Sequence, residues 1–121
     1  MQTEIRHPYL DPGLKPWLKG SAPQRALFLD RDGVINVDHG YVHTATRTDW
    51  MPGIFELVAQ AIAVGLVPVI VTNQAGIARG YYDEATFRRY TAWMHAEFRR
   101  RRAPIAATYF CPHHPTGGLG E

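Results

Sequence analysis

The sequence predicts an α/β fold with a parallel sheet flanked by helices. Three apolar runs of strand character, at 26–30, 66–72 and 106–110, alternate with two segments of helical period, giving the order β-α-β-α-β. The second run is continuously apolar, as a central strand of a parallel sheet should be. The first two runs end in residues with functional side chains, Asp30 and Thr72, where open α/β sheets place their ligands.

Residues 1–24 read as a Pro-rich arm and 25–121 as the domain. His7-Pro8, Asp11-Pro12-Gly13, Lys15-Pro16 and Ala22-Pro23 interrupt any period, while Tyr9, Leu10, Leu14, Trp17 and Leu18 could pack on a surface. The first strand spans Ala26–Asp30, and a polar excursion follows from Asn36 to Trp50. Pro52-Gly53 opens a helix with Ile54, Leu57, Val58, Ala61 and Ile62 on one face, and Gly65 stops it. Leu66–Thr72 is the second strand, expected to be buried on both faces. Asp83 caps the next helix, with Phe87, Tyr90, Met94 and Phe98 at helical spacing. Arg99–Arg102 close it where cations complement the helix dipole. Ala106–Phe110 is the third strand.

Composition narrows the function classes. A chain of 121 residues, 45% of them apolar, is one domain with a modest core. A formal charge of +2 implies no nucleic-acid partner, and the arginine run reads as a solvated helix end. One cysteine excludes an intramolecular disulfide and fits a reducing cytosol. With no signal-length or membrane-length apolar segment, the expectation is a cytoplasmic protein with no membrane partner.

The string Leu29-Asp30-Arg31-Asp32-Gly33 carries the chemistry. Gly33 permits a turn that folds Asp32 back toward Asp30. Two neighbouring carboxylates repel unless a cation lies between them, and oxygen-only ligands suit Mg²⁺. Asp30 could then act as nucleophile and Asp32 as proton carrier. A strand followed by an Asx turn explains this motif alone equally well. Thr72 with the backbone N–H groups of Asn73 and Gln74 could hold phosphate oxygens at the same sheet end, and two convergent signals are less easily chance.

The residues resemble the haloacid dehalogenase-like (HAD) phosphatases, most closely the heptose 1,7-bisphosphate phosphatases, relatives of histidinol phosphatase. The strings are Leu29-Asp30-Arg31-Asp32-Gly33-Val34-Ile35-Asn36-Val37-Asp38-His39-Gly40-Tyr41-Val42, Thr72-Asn73-Gln74-Ala75-Gly76-Ile77-Ala78-Arg79-Gly80 and Cys111-Pro112-His113-His114-Pro115. The resemblance covers roughly residues 25–115. It implies a Rossmann-like HAD fold of which only the first three strands are present, and removal of the 7-phosphate of a phosphorylated sugar. Asp30 is then the nucleophile, Asp32 the general acid/base and Thr72 a phosphoryl ligand. Both aspartates bind Mg²⁺, Asp32 through its backbone carbonyl. Arg31, Asp38, His39, Gly40, Tyr41, Asn73, Gln74 and Ala75 border the substrate. His39 and His43, as histidines of a polar loop, read more readily as solvated than as functional, and Arg79, which could steer an anionic substrate, reads at least as well as a solvated side chain.

The resemblance also brings departures. Cys111 and His113 match half of a family Zn²⁺ loop, but no second cysteine follows, so the Zn²⁺ site is incomplete. The family's later lysine and fourth-motif aspartate do not occur in the 121 residues. The first strand would be a bare sheet edge, inviting self-association. An impaired phosphosugar-binding remnant and a histidinol-phosphate phosphatase are the alternatives to an active heptose enzyme.

Overall fold

Both long helices pack on the same face of the sheet, and this decides where the chain is dense and where it is bare. The computed structural model describes residues 7–13 and 24–112. Its strands are β1 (Tyr9–Leu10), β2 (Arg25–Leu29), β3 (Leu66–Asn73) and β4 (Ala107–Cys111). Its α-helices are α1 (Ile54–Ala63), the single turn α2 (Ala75–Ala78) and α3 (Glu84–Arg100). The sheet order is β1-β4-β3-β2, with β2, β3 and β4 mutually parallel and β1 antiparallel to β4.

The α/β expectation therefore holds, with one strand more than the three anticipated. Tyr9 and Leu10 pair with Thr108 and Ala107, and the Asp11 N–H continues the pairing to the Ala106 carbonyl at 2.9 Å. Two residues between prolines are too short for any periodicity to reveal a strand. Leu14, Trp17 and Leu18, other candidates for packing from the arm, lie outside the described residues.

The helices form where the capping residues allow. Gly53 adopts a left-handed φ of 79° ahead of α1, and the Asp83 side chain accepts the Thr86 N–H at 2.7 Å to start α3. Ile54 and Val58 of α1 meet Tyr90, Met94 and Phe98 of α3 over Leu29 and Ile70 of the sheet. Leu57, expected on the buried face of α1, is exposed. Thr91 and His95 add a second buried stripe to α3.

That stripe fastens the N-terminal segment. His95, fully buried, places Nδ1 3.1 Å from Asp11 Oδ1 and Nε2 2.7 Å from Thr108 Oγ1. Arg99 also pairs with Asp11, the Gly13 N–H donates to Asp11 Oδ2 at 2.9 Å, and Tyr9 lies edge-on to the His95 ring.

No helix among the described residues covers the other face. β3 was expected to be buried on both sides, but Val71 is 40% exposed. Phe28 (66%) and Tyr109 (37%) share its face and, with Ala26 and Val69, line a shallow apolar depression of about 440 Å³. The periodicity of β3 is that of a covered strand, but among the described residues α1 and α3 sit together on the opposite side. β2 forms the sheet edge among the described residues.

Candidate active site

The site forms at the C-terminal ends of β2 and β3. Leu29 pairs with Ile70, so Asp30, the first residue after β2, lies level with Val71 and close to Thr72 along the sheet. Asp30 is exposed. The chain then turns sharply. The N–H groups of Val34, Ile35 and Asn36 converge on the Arg31 carbonyl, and Gly33, with φ 90°, donates to the Asn36 carbonyl. An L side chain at position 33 would strain this turn. The turn's hydrogen bonds go to the Arg31 and Asn36 carbonyls, not to that of Asp32.

The Asp32 carboxylate is held on several sides. Arg31 donates from Nη2 to Oδ1 at 2.8 Å and to Oδ2 at 3.1 Å, and its Nε approaches Oδ1 at 3.3 Å. Asn36 Nδ2 donates to Oδ1 at 3.1 Å, and Gln74 Nε2 reaches Oδ2 at 3.4 Å. The same Gln74 amide donates to Thr72 Oγ1 at 2.9 Å. One amide therefore links the general acid/base candidate to the hydroxyl at the end of β3.

A pocket of about 360 Å³ opens here, lined by Asp32, Asp38, Gly40, Tyr41, Asn73, Gln74, Ala75 and Tyr82. The polar excursion forms one wall. Arg31 Nη2 donates to the Val42 carbonyl at 2.7 Å, and Arg47 Nη2 to the His39 carbonyl at 2.9 Å. The Val37 N–H bonds the Asp49 carbonyl at 2.8 Å, and Asn36 bridges to Trp50. What reads as a loop is thus pinned at several points.

Seven anticipated site residues line this pocket: Asp32, Asp38, Gly40, Tyr41, Asn73, Gln74 and Ala75. Thr72 lies behind Gln74, and His39 turns away to pair with Asp49 at 2.7 Å. Arg31 is the clear correction. Expected at the substrate, it is 1% exposed, committed to Asp32 and the Val42 carbonyl, with Tyr90 facing its guanidinium. A buried arginine whose plane is filled by its own chain has little surface for a ligand.

Tyr82 was missed. Its hydroxyl donates to Gln74 Oε1, and His43 stacks on its ring at 4.3 Å. Burial lifts this hydroxyl to about 12, so it stays protonated as a donor. The ring fits because position 76 is glycine, where a Cβ would lie 2.9 Å from the Tyr82 Cζ. A glycine inside the short α2 was the available sequence signal.

Two oxygens of a kind that suits a magnesium ion are open here. Asp30 is accessible, and the Asp32 carbonyl is not used by the turn. Mg²⁺ accepts one or two protein oxygens and completes its shell with water and substrate phosphate. For Zn²⁺ the described residues offer less. Cys111 is half-buried at the end of β4, His113 lies outside the described residues, and no cluster of three or more metal-ligating side chains occurs among those described.

The α/β sheet, with an Asp-x-Asp-Gly turn and a hydroxyl at adjacent strand ends, is the arrangement that the resemblance to the HAD phosphatases implies. Comparison with known proteins agrees. The chain is 54% identical over 97 residues to the D-glycero-alpha-D-manno-heptose-1,7-bisphosphate 7-phosphatase of Burkholderia mallei, covering 80% of this chain and 51% of that protein. It is 45% identical over 96 residues to the D-glycero-beta-D-manno-heptose-1,7-bisphosphate 7-phosphatase of Escherichia coli K12, covering 79% and 50%. Among solved structures, the D,D-heptose 1,7-bisphosphate phosphatase of B. bronchiseptica, complexed with magnesium and phosphate, superposes with a TM-score of 0.71 at 32% identity. That match covers 79% of this chain and 54% of the other. No family model matches. Over about four fifths of its length the chain is thus similar to curated heptose-1,7-bisphosphate 7-phosphatases and to a solved heptose bisphosphate phosphatase, and it spans about half the length of the curated relatives it matches.

Proposed function

We propose that this chain carries the nucleophile-bearing part of a Mg²⁺-dependent phosphomonoesterase acting on the 7-phosphate of heptose 1,7-bisphosphate in the cytoplasm. The observation that supports this most is the Gln74 amide, which joins Asp32 to Thr72 at the ends of two adjacent parallel strands. The names of the relatives supply the substrate class.

In this reading an Asp30 carboxylate oxygen attacks phosphorus. The new Asp30–phosphorus bond forms as the phosphorus–sugar oxygen bond breaks, and the Asp32 carboxyl gives its proton to the departing oxygen. Water then attacks the aspartyl phosphate, Asp32 takes the proton, and inorganic phosphate leaves with Asp30 restored. Asp32 Oδ1 accepts from three donor atoms and Oδ2 from two, at 3.1 and 3.4 Å, so the less committed Oδ2 is the oxygen that carries the proton in this reading. Thr72 and the N–H groups after β3 hold the phosphoryl oxygens, and Asp38, Gly40 and Tyr41 border the sugar. Mg²⁺ held by Asp30 and the Asp32 carbonyl would neutralise charge developing on the phosphoryl oxygens.

The test is phosphate release from heptose 1,7-bisphosphate by the purified chain, with and without Mg²⁺. Turnover that requires the metal is expected. Substrate binding without release would make the chain a phosphosugar-binding remnant, and preferred hydrolysis of histidinol phosphate would reassign the substrate.

We also propose that a second copy covers the β2 edge and the Phe28, Val71 and Tyr109 face, both of them open among the described residues. An unpaired strand beside an apolar surface favours pairing. Size-exclusion chromatography should show a dimer that Phe28→Glu dissociates; a monomer at all concentrations would refute it.

A further inference from the structure

Arg31 lies between the two aspartates in sequence, yet its geometry gives it no access to a substrate. The side chain runs inward and is almost wholly buried. Its Nη2 makes three contacts, to both oxygens of Asp32 and to the Val42 carbonyl at 2.7 Å. The Tyr90 ring lies 5.2 Å from its Cζ, and Nη1 has no hydrogen-bond partner among the described residues. Burying a guanidinium is costly unless its charge is matched, and here the matching charge is the general acid/base candidate itself.

We infer that Arg31 is a positioning residue: it orients the Asp32 carboxyl toward the leaving oxygen and ties that carboxyl to the substrate-facing wall through the Val42 carbonyl. This rests on the phosphatase reading above. One nitrogen serves both partners, so the wall and the carboxyl cannot shift independently. Nε and Nη2 converge on Oδ1, whereas Oδ2 takes only Nη2 from the guanidinium, at 3.1 Å, and the Gln74 amide, at 3.4 Å. Asn36 reinforces the choice from the other side, donating to Oδ1 and to the Val37 carbonyl. A lysine in the same place could not repeat this, because a single ammonium lacks the planar fork that spans Nε and Nη2.

The consequence depends on the leaving group. A sugar alkoxide needs a proton as it departs, whereas p-nitrophenolate leaves without one. The value of kcat/KM reports the steps up to formation of the aspartyl phosphate, where this difference acts. Arg31→Lys should lower kcat/KM for heptose 1,7-bisphosphate about a hundredfold, as misplacing a general acid would. For p-nitrophenyl phosphate with the same enzyme and Mg²⁺, the loss should stay below about fivefold. Circular dichroism checks that the variant is folded. Should Arg31→Lys fail to fold, Arg31→Gln, neutral but still a donor, reads the same contrast.

Equal losses on the two esters would overturn the inference, because a merely structural arginine would damage both reactions alike. Wild-type rates on both esters would overturn it as well. If the unsubstituted chain hydrolyses neither ester, the phosphatase reading itself fails and takes this inference with it, an outcome separate from either of the others.

Discussion

Replacing Asp30 by Asn is expected to abolish phosphate release, with a loss on the order of 10⁴-fold or more, as for other nucleophile deletions. An amide oxygen at this position is a poor nucleophile and a weaker ligand for a hard cation. The cause would be chemical, because Asp30 is exposed beyond the end of β2. Thermal melting of the variant should therefore match that of the unsubstituted chain. A loss of activity accompanied by a clear drop in melting temperature would point to a structural role. Retained activity would remove Asp30 from the mechanism.

The second large effect concerns stability. Asp11→Ala is expected to cost about 3 kcal/mol, because it removes the acceptor for both Arg99 and His95 in a buried setting. Arg99 is partly exposed and can turn to water, which keeps the cost from being larger. The same cluster sets a dependence on pH. Burial pushes His95 down from 6.5 to about 4, against the Asp11 carboxylate, which favours the charged ring; Arg99 acts in the same direction as burial. Between about 6.5 and about 4 the unfolded chain binds a proton that the folded chain does not. This contribution is therefore fully present above the unfolded value and is lost as pH falls through that window. Denaturation followed at pH 7 and pH 4.5 checks it. His95→Gln should flatten this part of the profile, and an unchanged slope in that variant would exclude His95 as its source.

The latch also shows where reading the chain alone stops. His95 lies within a helix whose apolar period is complete without it, so nothing local distinguishes it from a solvated histidine. Its role depends on Asp11, 84 positions away, which lies in a segment that looks like an arm. The β1 strand is equally silent, since two residues cannot display a period of two. Arg31 is the instructive case at the site. Its neighbours Asp30 and Asp32 suggest a surface role, but the turn closing on its carbonyl sends the side chain inward, toward Tyr90.

The three parallel strands and the helices between them, the Gly33 turn and the Asp83 cap are local matters. They depend on periodicity, on which residues tolerate a turn and on where strands end, all of which are written in contiguous residues. The shared face of α1 and α3, the bare Val71 side of β3, the burial of Arg31 and the Asp11–His95–Thr108 cluster are not. Each depends on which distant surfaces meet, and a segment's own pattern records only that it has an apolar face, not what will cover it.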